Sequence, residues 1–159
     1  FRQLIVVFGV ILALLLGLLV IQLGTLRKTF IVLLSVPLSM VGAGIGLVVG
    51  GYSFSFMVFL GVISLAGMAI KNSVVWIEFV DQARAAGDTV REAVIRAGIY
   101  RLRPIILTAA TTVGGLLPLA LFGGVLFESM AWAMIAGLSL VTVFTLVVIP
   151  VFYAILAPR

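Results

Sequence analysis

Apolar residues fall in long blocks along this chain, without the period-two alternation of a strand or the narrow stripe of a soluble helix. Five blocks reach the length that crosses a bilayer, about 20 residues. They cover residues 3–23, 30–49, 54–79, 104–122 and 129–156. Gly24 and the pair Arg27-Lys28 close the first block, Gly50-Gly51 the second and Gly123-Gly124 the fourth. Between the third and fourth blocks, residues 81–100 are polar and too short for a span. Within them Val90, Ala93, Val94 and Ala97 recur at i, i+3, i+4 and i+7. That spacing predicts a short amphipathic helix over 88–98 at the membrane surface, with Asp88 and Thr89 as cap candidates. The expected fold is therefore all-α. It is a polytopic membrane helix bundle with five transmembrane helices and one short amphipathic cytoplasmic helix, in a single transmembrane domain.

Composition agrees with this pattern. The 159 residues are 64% hydrophobic and 9% charged, against about 25% charged in a soluble domain. The chain has no cysteine and no histidine, which excludes disulfide chemistry and any metal site built on those ligands. A net charge of +5 does not point to nucleic acid, because the basic residues stand at the ends of spans. The expected surroundings are a lipid bilayer.

Charge also orients the spans. Arg27, Lys28, Arg84, Arg91, Arg96, Arg101, Arg103 and Arg159 fall on one side, Arg2 alone on the other, and Lys71 inside a span. The positive-inside rule makes the first side cytoplasmic. The N-terminus is then outside and the C-terminus inside. The start F-R-Q-L lacks an initiator methionine and reads as a cut or processed end. An odd number of spans with an outside start suits the back half of a larger protein. In the second span Gly42, Gly46 and Gly50 recur every four residues, the small-residue spacing that lets helices approach closely. Gly114-Gly115 is a candidate for the same role in the fourth. Pro37, Pro118 and Pro150 are expected to kink or break their spans.

Lys71 is the residue that needs explaining. An ammonium at mid-membrane costs about 2.5–3.5 kcal/mol on insertion scales. Snorkelling is strained, since Phe79 at the span end lies about 12 Å away along the helix. Glu78 is two turns off and is a poor partner. The other carboxylates read as loop or turn residues: Asp81, Asp88 and Glu92 on the cytoplasmic side and Glu128 outside. Lys71 is then either neutral or paired with a counter-ion on a segment outside this chain, and the second is the expectation. Asn72 adjoins it. Thr108, Thr111, Thr112 and Gly115 form a stripe on the fourth span, with Arg101 one heptad before Thr108. A bland alternative is that membrane threonines bond their own helix carbonyls. An amine, an amide, a threonine and an arginine together suit a proton path. No Walker loop, G-x-S-x-G motif or carboxylate pair points to hydrolysis.

At these residues the chain resembles the C-terminal membrane half of resistance–nodulation–division (RND) efflux transporters, in the hydrophobe/amphiphile efflux branch. The likeness rests on S-V-P-L-S at 35–39, on F-M-V-F-L-G-V-I-S-L-A-G-M-A-I-K-N-S-V-V-W-I-E-F at 56–79, and on R-L-R-P-I-I-L-T at 101–108. G-G-L-L-P-L-A at 114–120 and V-V-I-P-V-F-Y at 147–153 extend it. The resemblance implies spans 8 to 12 of a twelve-span, proton-driven drug exporter of the bacterial inner membrane, with no cofactor beyond the proton as coupling ion. It makes Lys71 the relay lysine, Thr108 the relay threonine and Arg101 the arginine at the cytoplasmic end, with Asn72 beside them. It also implies partners: an N-terminal membrane half carrying two aspartates, two further subunits of a trimer, a periplasmic adaptor and an outer-membrane channel. A rival reading is a non-transporting five-helix scaffold, truncated or redesigned. Metal-ion export is a second transport reading, but Met40, Met57, Met68, Met130 and Met134 are scattered in sequence and suggest no thioether relay.

Overall fold

The computed structural model describes residues 2–156, with the side chains of Arg2 and Leu4 not among them, and so does not reach Arg159 of the charge count. Five helices follow in order: α1 Arg2–Leu23, α2 Leu26–Gly50, α3 Phe56–Ala85, α4 Val90–Phe122 and α5 Gly124–Leu156. The described residues include no strand, and all five helices are long and apolar enough to cross a membrane. The fold is an all-α membrane helix bundle, as the apolar blocks predict.

One expected feature is corrected. No separate amphipathic helix lies over 88–98, because that segment is the first part of α4 and runs without a break into the fourth span. Pro104 does not stop it. Inside a helix a proline removes one backbone bond, while Ala93, Ala97 and Ile105 on either side of it are buried in one shared cluster and hold the axis. The 33 residues of α4 extend about 50 Å, well beyond a hydrocarbon core of about 30 Å. Helix α3 likewise continues past Phe79 to Ala85, which places Asp81 on a helix and not in a loop. Helices α2, α4 and α5 run through Pro37, Pro118 and Pro150 without ending.

The turns are short because the sequence supplies the residues they need. Gly51 closes α2 in the left-handed region, at φ 70°. There the Tyr52 and Gly51 amides reach back to the carbonyls of Leu47 and Val48, at 2.9 and 3.2 Å. The Ser55 hydroxyl then caps α3 by accepting from the Val58 amide. Thr89 caps α4 in a reciprocal box: its hydroxyl accepts from the Glu92 amide, and its own amide donates to the Glu92 carboxylate. Asp88, the other cap candidate, instead forms an ion pair with Arg96 at 2.8 Å. That contact lacks hydrogen-bond alignment at the carboxylate oxygen.

Helices α2, α3 and α5 make the packed centre, in two apolar clusters. One gathers Val32, Trp76, Ile77, Val80, Ile149 and Tyr153 near the basic end. The other gathers Ala43, Leu47, Val58, Val62, Leu65 and Leu138 toward the opposite end. Between α2 and α5 the glycines decide the approach. A Cβ on Gly46 would lie 2.6 Å from the Trp132 carbonyl oxygen and 2.7 Å from the Ala136 Cβ. Gly50 differs, since its near neighbour is the Tyr52 ring in its own turn. Gly114 and Gly115 have nothing within 4 Å of such a Cβ. Among the described side chains, few on α1 and α4 are buried.

Candidate functional site

Lys71 stands on the outward face of α3. Leu60, Ile63, Ser64, Gly67, Lys71, Glu78 and Gln82 are all exposed and follow one another at helical spacing. Opposite them Leu65, Ala69, Ser73, Trp76 and Val80 are buried. Lys71 forms no hydrogen bond or ion pair with any described residue, and neither does Glu78. Ten residues separate Lys71 from Asp81, about 15 Å along the axis. Asn72 is half-buried beside it.

Helix α4 brings its threonines to a second open face. The Thr108 hydroxyl donates to the Pro104 carbonyl at 2.8 Å, that of Thr111 to Leu107 at 2.9 Å and that of Thr112 to Thr108 at 2.8 Å. Each therefore bonds its own helix, as the bland reading supposes. Arg101 is held differently. Its guanidinium lies over the Phe79 ring of α3, 5.1 Å from the centroid, a cation–π contact joining the two helices. Tyr100 packs on the same ring at 6.0 Å. The Arg101 Nε is buried without a partner. Among the described residues no hydrogen bond or ion pair joins Lys71, Asn72, Arg101 and Thr108 to one another. What they share is position, on or beside the sparsely covered faces of α3 and α4.

A polar cluster that sequence reading missed lies at the basic end. The Lys28 ammonium of α2 donates to Asp81 of α3 at 2.7 Å. The Tyr153 hydroxyl of α5 donates to the other oxygen of the same carboxylate at 2.8 Å. One carboxylate thus ties three helices together. No local signal could announce this, since the partners are 53 and 72 residues away in sequence. The only clue was Asp81 in helical register three residues after Glu78. At the opposite end the Tyr52 hydroxyl donates to Glu128 at 3.1 Å. Removal from water, then the bond and charge of Glu128, hold that phenol above its usual value near 10.

These features define a class: a multi-pass helical membrane domain with an ammonium on an uncovered face. The chain belongs to the AcrB/AcrD/AcrF family of RND transporters, which it matches over residues 1–157, and is a transporter domain. It is 39% identical to the swarming motility protein SwrC of Bacillus subtilis (strain 168) over 143 residues, covering 87% of this chain and 14% of that protein. It is 34% identical over 149 residues to an uncharacterized transporter of Haemophilus influenzae, with the same coverages. Two crystal forms of a heavy metal efflux pump resemble it in structure. The first has TM-score 0.83 and 29% identity over 99% of this chain and 16% of the pump. The second has TM-score 0.73 and 31% identity over 92% of this chain and 15% of the pump. The chain spans about a seventh of the length of the curated relatives it matches.

Proposed function

We propose that this chain contributes to the proton path of an RND exporter, with Lys71 as the charged element of a two-state switch. One observation carries the reading: Lys71 is exposed on an apolar helix and has no partner among the described residues. A charge at membrane depth is costly alone and becomes acceptable beside carboxylates. Carboxylates on a membrane segment outside this chain, seated against the open faces of α3 and α4, supply that partner. Protonating them removes the reason for the pairing and frees the ammonium to turn toward Asn72 or Thr108. The balance of two conformations then depends on a proton, as coupling requires. Arg101, fixed on Phe79, stands toward the cytoplasmic end of this path, and Thr108 presents a hydroxyl along it.

The rest of the machine belongs to the same reading. It comprises a bacterial inner membrane with the N-terminus periplasmic and the C-terminus cytoplasmic, a trimer, a periplasmic adaptor and an outer-membrane channel. The sequence motifs favour drug/proton antiport. A second reading of the cargo, metal ions, is favoured by the likeness in structure to a heavy metal efflux pump. The proposed relay is compatible with either cargo.

The test is Lys71→Met in the full transporter, which keeps most of the stem and removes the charge. Proton-driven export should be lost while expression and assembly persist. Robust export by this variant would defeat the relay reading and return the chain to a packing role.

A further inference from the structure

The basic end of the bundle holds a cavity that the proton path does not use. Its volume is about 170 Å³, well above the ~10–15 Å³ that one water needs. Arg27 and Lys28 of α2, Arg84 of α3 and Tyr153 of α5 line it, with Thr25 at the start of α2 and an apolar wall of Ile31 and Leu156. We propose that this cavity binds the phosphate group of an anionic phospholipid.

Charge points to an anion. Lys28 and the Tyr153 hydroxyl are already committed to Asp81. Arg27 and Arg84 have no ion pair among the described residues. Three cations against the single carboxylate Asp81 leave the site at +2. Of the other acids toward this end, Asp88 pairs with Arg96 and Glu92 bonds Thr89, while Glu78 lies on the outward face of α3 and does not line the cavity. Two guanidinium groups present planar forks that match phosphate oxygens. The start of α2 adds to this, since the Thr25 side chain makes no capping bond. The first amides of a 25-residue helix therefore remain open beside the cavity.

The surroundings select a lipid over free phosphate. The cavity sits where the basic residues collect, at the level of the headgroups. Ile31 and Leu156 give it an apolar side. The residues next to its lining, Leu26, Phe30 and Ile155, are 72%, 62% and 73% exposed. They present an apolar outer surface on α2 and α5 along which acyl chains can lie. The inference needs only that the bundle spans a bilayer. It depends neither on the proton path nor on which leaflet faces this end.

Native mass spectrometry of the full chain in neutral detergent tests it, with phosphatidylglycerol, phosphatidylcholine and inorganic phosphate as separate probes. The first phosphatidylglycerol should bind at least about ten-fold more tightly than phosphatidylcholine, as two extra cations at a headgroup allow. It should also raise the melting temperature. Inorganic phosphate at the same concentration should do neither. Arg27→Gln with Arg84→Gln should erase the preference, while Arg91→Gln with Arg103→Gln, an equal loss of charge elsewhere at this end, should keep it. Should the first pair fail to fold, Arg27→Gln alone, at an exposed position, should still weaken the preference. Absence of any lipid preference, or equal loss in both double variants, would overturn the site. Protection by inorganic phosphate equal to that by phosphatidylglycerol would overturn the lipid assignment.

Discussion

A methyl group placed on Gly42 would lie 2.8 Å from the Cα of Gly137, so α2 and α5 meet backbone against backbone. A Cβ on Gly137 would in turn collide with the Leu65 side chain of α3 and crowd the Ser39 carbonyl. Three helices therefore depend on two missing side chains.

Gly42→Val and Gly46→Val should each destabilise the chain by about 1–3 kcal/mol, the usual cost of overpacking. Gly115→Ala should cost nothing, because its Cβ enters open space and alanine is the better helix former. Unfolding in mixed micelles measures all three. A loss at Gly115 as large as at Gly46 would show that the α4 face is covered within this chain.

Asp81 should be the most sensitive polar residue in the bundle. Tyr153→Phe removes one hydrogen bond and should cost about 0.5–1.5 kcal/mol. Asp81→Ala strands both Lys28 and Tyr153 and should cost about 1–3 kcal/mol. Lys28 and Asp81 side chains are 24% and 33% exposed, so solvent screening sets their direct coupling at the low end of such pairs. A double-mutant cycle between Lys28→Met and Asp81→Asn isolates it. Zero coupling in that cycle would reduce the link to Tyr153 alone.

Thr108 separates packing from relay. Its hydroxyl bonds the Pro104 carbonyl, which leaves the oxygen able to accept a further proton donor. In the full transporter, Thr108→Ala should remove most proton-coupled export with expression unchanged, and Thr108→Ser should retain much of it. Equal loss from both substitutions, or normal export with alanine, would assign Thr108 to packing.

Orientation is testable by single cysteines, since the chain has none of its own. Cysteines at positions 24–29 or 86–89 should resist an impermeant thiol reagent in intact cells. Those at 51–53 and 124–128 should react. Labelling of 86–89 from outside would reverse the topology and move Arg101 to the opposite side of the membrane.

Much of the architecture was legible because its signals are local. Apolar block length sets the five helices, and Gly24, Gly51 and Gly124, at the block ends, take the positive φ their turns need; Gly87, which no block end marks, does the same before α4. The capping box at Thr89 and Glu92 was only half legible. Thr89 was a cap candidate, but its bond to Glu92 and the loss of Asp88 to Arg96 depend on the turn geometry.

Lys71 and Asn72 stood out because a charge or amide in an apolar block has a large transfer cost wherever the block packs, and Arg101 and Thr108 because they stand one heptad apart at the start of the fourth block, within R-L-R-P-I-I-L-T. Sequence also determined that Lys71 has no close partner on its own helix, since Glu78 is two turns away. Tertiary structure decided the rest. It drew α4 through Pro104 as one helix, because Ala93, Ala97 and Ile105 bury against the same cluster. It set Gly42 against Gly137 while leaving Gly114 and Gly115 open, although all read alike as small residues in a span. It gave Asp81 to Lys28 and Tyr153, since contacts between distant helices follow from how faces pack and leave no trace in local spacing.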